Sequence, residues 1–290
     1  MNNILLTGIA TLDIVNLLQR FPDEDSEVRA LSQQVRSGGN AANSAIVLKQ
    51  LGFNAFLLSN MADDSNANVI FSLLHEQGIN TSLCTVQKNS STPTSYISTS
   101  QQNASRTIIH HRQLNELDAS NFLLLDLSHY DWLHFEARNC PQLKTMLEYA
   151  KTYNKPISIE LEKPRDKLQG IADFADILFI SKPFAESLSL HTAAHCIEHF
   201  NRLYPDKIIT CTWGAEGAWA SDQAQVIHQP AFSVNSIIET LGAGDAFNAG
   251  FIRSQLKQLN IADSLAFACR LAASKCAQTG FDGLYSAIQE

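Results

Sequence analysis

The sequence predicts an α/β protein built on a doubly wound, mostly parallel sheet flanked by helices, with a small antiparallel β sheet added as a lid. Two observations carry this. Short apolar runs alternate with longer stretches whose apolar residues recur at helical spacing, the pattern of successive β-α-β units. Two segments, residues 11–36 and 94–111, break that alternation and read as antiparallel ribbons. A chain of 290 residues, 45% hydrophobic and 17% charged, can bury a large core, and one domain spanning residues 1–290 is expected.

The elements follow in order. "NILLTGI" (3–9) is the first strand. The ribbon of residues 11–36 pairs "LDIVNLLQRF" with "EVRALSQQVR" around the acidic turn "PDEDS". A helix begins near Asn40 and runs through "AANSAIVLKQLG", where Ala42, Ala45, Ile46, Leu48 and Leu51 lie mostly on one side and Gly52 stops it. "NAFLLSNM" is a strand, and "ANVIFSLLHEQG" repeats the helical pattern up to Gly78. The second ribbon is "TSYISTSQQNASRTIIHH". Further strands are expected at "WLHFEA", "ISIEL", "DILFIS", "KIITCTW" and "FSVNSII", the last leading through a glycine turn into the helix "DAFNAGFIRSQLK".

Composition excludes several function classes. A formal net charge of −8 without a basic stripe argues against nucleic acid as a partner. Nothing approaches the roughly 18 uninterrupted apolar residues of a membrane helix, and the N-terminus lacks a basic region followed by a small-residue cleavage site, so a soluble cytoplasmic protein with no membrane partner is expected. The six cysteines are dispersed and lack zinc-ligand spacing; reduced packing residues are expected.

The stretch "ETLGAGDAFNAGF" carries the chemistry. Gly242, Ala243 and Gly244 open a helix, where backbone N–H groups without helical partners attract an anion. A P-loop string, G-x-x-x-x-G-K-[ST], is absent, and Phe247 stands where a dinucleotide fingerprint needs its third glycine. A carboxylate beside an anion site weakens it unless that carboxylate has a task. Asp245 suits a general base that accepts the proton of an attacking hydroxyl while the turn's amides stabilise charge on a transferring phosphoryl group. Read alone, Asp245 is also a candidate helix cap. "SGGNAAN" is a second glycine pair opening a helix, with Asn40 and Asn43 spaced to share a side and suited to a polyhydroxylated ligand; capping by Asn40 is the other reading. Asp13 is either a buried, satisfied acid or a hydroxyl acceptor. His110 and His111 are adjacent in a strand and receive no catalytic role, and Trp213 and Trp219 read as packing residues.

Together, "SGGNAANSAIVLKQLG" and "ETLGAGDAFNAGF" closely resemble the two signature regions of the ribokinase-like (PfkB) carbohydrate kinases, over essentially the whole chain. "FPDEDSEVRALSQQ", "RTIIHH", "HFEARN", "ELEKPR", "FISKP" and "QTGFDGL" resemble the ketohexokinase subgroup, fructokinases acting on the C1 hydroxyl. The resemblance implies an ATP-dependent sugar kinase with Asp245 as base and Gly242, Ala243 and Gly244 as anion hole. It matches Asp13, Gly39, Asn40, Asn43 and Lys163 to sugar contacts, and Arg106, Glu136 and Arg138 to the lid or active centre. It matches Lys182, Thr212, Gly214 and Gly217 to nucleotide phosphates and ribose, and Gly283 to adenine. It further implies Mg²⁺ held by phosphates and water, and a homodimer clasped through the lids with Asp25 reaching the partner's sugar. Alternatives are a kinase of ribose, a nucleoside or another sugar, and a sugar-binding regulator without catalysis. The chain departs from the family in two places. Glu239-Thr240 replaces Asp-Thr on the loop that would carry a K⁺ site, and Ser181-Lys182-Pro183-Phe184 replaces N-x-x-E, leaving Glu160 and Glu162 as substitutes near Mg²⁺.

Overall fold

A computed structural model of the chain describes residues 1–222 and 225–286. Along the chain run β1 (Asn3–Thr7), β2 (Thr11–Leu18), β3 (Ser32–Gly38), α1 (Asn40–Gln50), β4 (Asn54–Leu58), β5 (Asn60–Ala62), α2 (Ser65–Glu76) and β6 (Thr85–Gln87). There follow β7 (Thr94–Ser100), β8 (Arg106–His111), β9 (Trp132–Glu136), α3 (Cys140–Lys151), β10 (Ile157–Leu161), β11 (Ile177–Ser181), α4 (Lys182–Ser187) and α5 (Ala193–Leu203). The last are β12 (Ile208–Thr212), β13 (Ala218–Asp222), β14 (Gln225–Gln229), α6 (Ala243–Leu256) and α7 (Ile261–Cys276).

The main sheet has the order β14-β13-β12-β11-β10-β9-β1-β4. The six strands from β12 to β4 are parallel, and β13 and β14 extend the edge antiparallel. Because helices cover both faces, β9 and β10 are buried along their whole length, which is why their sequences do not alternate. One face packs α1, α6 and α7 against Ile4, Leu6, Leu57 and Phe179. The other packs α3 and α5 against Leu133, Phe135, Ile159 and Leu178. Phe179 of β11 makes edge contacts with Phe247 and Phe251, which fixes α6 across the sheet. All six cysteines are free.

The two ribbons pair as expected, β2 with β3 and β7 with β8, each antiparallel. They then join through a parallel β2–β7 pairing into one four-stranded sheet, β3-β2-β7-β8, so the small sheet is mixed at its centre. Its inner side faces the carboxyl ends of the main strands. Two expectations need correction. Residues 27–31 precede β3 as irregular chain. "FSVNSII" is not a strand, because the β13–β14 hairpin already occupies that sheet edge. Residues 232–238 instead run to the end of α7, with Phe232 and Val234 half-buried and the rest exposed, and there the Ile238 and Glu239 amides donate to the Cys276 carbonyl at 2.8 and 3.2 Å.

Candidate active site

Two helices begin at one cavity. Gly242, at φ +80°, is the N-cap of α6; a Cβ there would lie 2.4 Å from Phe281 Cζ, so both backbone angle and space require glycine. Gly39, at φ +97°, precedes α1 under the same double constraint, pressed against the Ile9 carbonyl. Beside Gly244, in contrast, no atom lies within 4 Å of a Cβ position, leaving room for a ligand at the head of α6. The cavity between the small sheet and these helix starts measures about 630 Å³ and is lined by Asp13, Gly39, Asn40, Asn43, Arg106, Arg138, Lys163, Thr212, Gly242, Gly244 and Asp245 among others.

Neither capping reading holds. Asp245 lies in the first turn of α6, but the N-cap has no side-chain hydrogen bond; its Oδ2 accepts from Asn43 Nδ2 at 2.7 Å. Asn43 Oδ1 is buried without a partner. Asn40 likewise donates away from its own helix, to Glu160 Oε2 at 3.1 Å, while Asn248 holds Glu160 Oε1 at 3.0 Å. Asp245 is buried, and burial pushes its carboxyl from an ordinary 3.8 up to about 7; the Asn43 bond opposes this, and nearby Glu136, Glu162 and Asp13 add to it. Burial raises Glu160 well above its usual range, with Asp245 and Glu136 reinforcing the effect. The cavity floor is a set of carboxylates held by amides.

Glu136 lies below this floor. Its Oε1 accepts the backbone amides of Ile9 at 2.9 Å and Ala41 at 2.7 Å, bracing the corner between β1 and α1, and burial raises its pKa. Across the small sheet, Asp13 stands opposite Arg36 and Ser95. Asp13 Oδ1 accepts from Thr11 Oγ1 at 2.8 Å, and burial raises its pKa against that bond. Ser95 Oγ in turn meets His110 Nδ1 at 3.1 Å, so His110 faces the cavity. Burial, then the cations Arg112 and Arg138, lowers the pKa of His110. Arg138 is engaged by Glu116 through two bonds, at 3.0 and 2.5 Å, and Arg112 adds a third contact at 3.2 Å. Arg106 bonds the Thr240 hydroxyl, and Lys163 pairs with Glu162 at 3.2 Å.

Other sequence-matched residues stand apart. Thr212, with Ser181 and Pro183, continues the cavity along the ends of β11 and β12. Lys182, Gly214 and Gly217 adjoin this end in sequence without lining the cavity, and Gly283 lies outside it, between Asp282 and Leu284, which bond Gln77 and Gln50 at the ends of α2 and α1. Lys182 Nζ rests 5.1 Å from the Trp213 ring centroid, and the 3-10 turn from Gly214 ends at Gly217, whose carbonyl accepts from Trp213 N at 2.8 Å. Asp25 is exposed at a turn with φ +57°, away from the cavity of its own chain. Asn248, Ser95 and Glu116 carried no expectation. Asn248 follows Asp245 by one helical turn and had a local signal; Ser95 reaches Asp13 only through the long-range β2–β7 joint. Among the described residues no group of three or more His, Cys, Asp or Glu could hold a metal ion, and no helix is long and apolar enough to cross a membrane.

The profile of the pfkB family carbohydrate kinases matches residues 1–285. Mouse ketohexokinase is 34% identical over 292 residues, covering 97% of this chain and 98% of its own. A ribokinase candidate from Agrobacterium tumefaciens superposes with a TM-score of 0.89 at 22% identity, covering 100% of this chain and 99% of its own. Ribokinase from Cryptococcus neoformans, solved with ADP, gives 0.81 at 18% identity, with 100% and 99% covered. A full-length profile match and a relative above 30% identity identify the chain as a member of the pfkB family of carbohydrate kinases.

Proposed function

We propose that the protein phosphorylates a ketose, fructose at its C1 hydroxyl, with ATP as donor and Asp245 as general base. The observation that carries the reading is Asp245 itself, a buried carboxylate at the head of α6, aimed at the cavity and held by Asn43. A base with pKa about 7 is half ionised at neutral pH and still basic enough to take a hydroxyl proton. Asp245 accepts that proton as the sugar oxygen bonds to phosphorus and the bond to the leaving ADP breaks. Amides at Gly242 and Gly244, and that of Ala243 once it leaves its 3.3 Å bond to the Thr240 carbonyl, stabilise the charge that develops. Asn43 Oδ1, buried and unpaired, is an acceptor for a sugar hydroxyl, and Asp13 is a second. Lys163, Arg106 and Arg138 supply positive charge around the opening, with Glu136 bracing the corner that carries Asn40.

ATP supplies the transferable phosphoryl group; Thr212, Gly242 and Gly244 would hold its phosphates, with Lys182, Gly214, Gly217 and Gly283 beside them. The residues fit Mg²⁺ carried by phosphates and water better than a protein cage, since Glu160 is occupied by two amides and Glu162 alone is accessible. The small sheet, built from residues 11–36 and 94–111, acts as a lid over the cavity. Its outer side carries Val35, Ile14, Tyr96 and Ile109 in one cross-strand row, with Val35, Tyr96 and Ile109 exposed at 46%, 50% and 68%. That row suits a second copy in a homodimer, in which Asp25 reaches the partner's sugar.

ADP formation across a sugar panel, followed by NMR assignment of the phosphorylated carbon, tests the substrate. Ribose is the competing acceptor, favoured by the ribokinase fold likeness, and the same panel separates it. No turnover with any sugar overturns the reading. For the clasp, chains with Asp25→Ala and Asp245→Asn are mixed, each homodimer being nearly inactive; partial recovery supports Asp25 acting across subunits, and none after verified exchange removes it.

A further inference from the structure

An ammonium group lies beneath the glycine turn. Lys275 of α7 is 1% exposed, and its Nζ sits 3.0 Å from Glu239 Oε2, 3.5 Å from the Glu239 carbonyl and 3.4 Å from the Gln278 carbonyl. One carboxylate and two backbone carbonyls are the donor set that suits a monovalent metal cation. Here the nitrogen occupies the centre of that set, so the loop does not fit a free K⁺. The surrounding groups all bear on the turn. Glu239 begins the segment leading into Gly242, and its carboxylate also takes the Gly280 amide at 3.0 Å and Arg36 of the lid sheet at 2.9 Å. Phe281, whose ring centroid is 5.4 Å from Nζ, fills the space where Gly242 has no side chain. A buried lysine is costly without compensation, and this one is compensated on the side that faces the turn.

We infer that Lys275 is a tethered monovalent cation: a positioning residue whose ammonium locks Glu239, the Gln278 carbonyl and Phe281 so that Gly242 and the amides after it keep their aim, and which leaves the protein no use for K⁺ at this loop. The effect on turnover rests on reading Gly242 to Gly244 as the anion hole. The occupancy of the cation position does not.

The test compares wild type and Lys275→Ala in KCl, NH₄Cl and tetramethylammonium chloride at equal ionic strength. Wild-type unfolding midpoints should agree across the three salts. The variant should unfold earlier in tetramethylammonium and gain roughly 2–4 °C, saturably, in K⁺ or NH₄⁺, as a small cation fills the vacated centre. Turnover on the accepted sugar should recover at least about tenfold in the same salts, a loss of the size expected for misaligned catalytic groups. A wild type specifically stabilised by K⁺ overturns the inference, as does a folded variant indifferent to both ions. If Lys275→Ala does not fold in any salt, Lys275→Ser is taken through the same series, and the wild-type comparison decides alone. Absence of kinase activity in wild type would sink the proposed function while leaving the thermal comparison intact.

Discussion

Glu239 and Asp245 stand at the two ends of one glycine turn, and both are buried, at 5% and 6% exposure. Their ionisation runs in opposite directions. For Glu239, burial works upward but is outweighed by Lys275, the Gly280 amide and Arg36, and its carboxyl is held below the usual range. For Asp245, burial prevails over a single amide donor, and neighbouring carboxylates add to it. The partners set the difference: a carboxylate among cations is held ionised as an anchor, whereas one among other acids with a single amide donor holds a proton more readily.

The sharpest way to break this contrast is to neutralise each acid in turn. Asp245→Asn should reduce turnover by roughly 10²- to 10⁴-fold, the range for loss of a general base, while sugar binding measured by calorimetry stays close to wild type. Near-normal turnover would remove Asp245 from the chemistry. Glu239→Gln should act on stability first, because it strands the Lys275 ammonium in the interior; breaking one side of a buried pair costs roughly 3–5 kcal/mol, which denaturant unfolding would read. A variant as stable as wild type would mean that Lys275 finds equal compensation elsewhere.

The pH dependence sharpens the same contrast. Since the carboxyl of Asp245 is raised from 3.8 to about 7, its contribution to stability is complete below pH 3.8 and is lost as pH rises through 7. Activity runs the other way: kcat/KM should climb through about pH 7 and level above it. At pH 8, Asp245→Asn should therefore be more heat-stable than wild type, and at pH 4 the difference should close. A flat rate profile between pH 6 and 8 would separate Asp245 from the proton transfer. The smallest effect is expected from Asn43→Ala. Removing the one hydrogen bond that favours the Asp245 carboxylate should move the rate profile upward by about 1 pH unit, as loss of a hydrogen bond worth about 1–2 kcal/mol implies. It should also raise KM for the sugar.

The strand-helix rhythm and both helix starts were legible because they are local: an apolar run, then a glycine that only one backbone conformation explains. Asn40 and Asn43 could be placed on one side of a helix from spacing alone, but their bonds to Glu160 and Asp245 could not, since those carboxylates arrive from β10 and α6. "FSVNSII" has the composition of a strand and lost its place to the β13–β14 hairpin, a competition no short window records. Lys275 did leave a signal. It falls on the helix face of Ala268 and Leu271, both buried, and a lysine on an apolar stripe implies a buried counter-charge. The β2–β7 pairing left none, because its partners are joined only through tertiary structure.

That pairing governs how the molecule is made. The Thr99 hydroxyl meets the Asn16 carbonyl across 83 residues of sequence, and closure of so long a loop must precede any reward from the contact. As the chain leaves the ribosome, β2 and β3 emerge well before β7, and the edge of β2 that β7 will cover stays unpaired until β7 arrives. The intervening α1, β4, β5, α2 and β6 are made in that interval. All four strands of the cavity roof are synthesised by His111, before β9 and every later element, so the roof can pair before the α6 floor exists, and the first ribbon needs protection from other nascent chains only until β7 covers it.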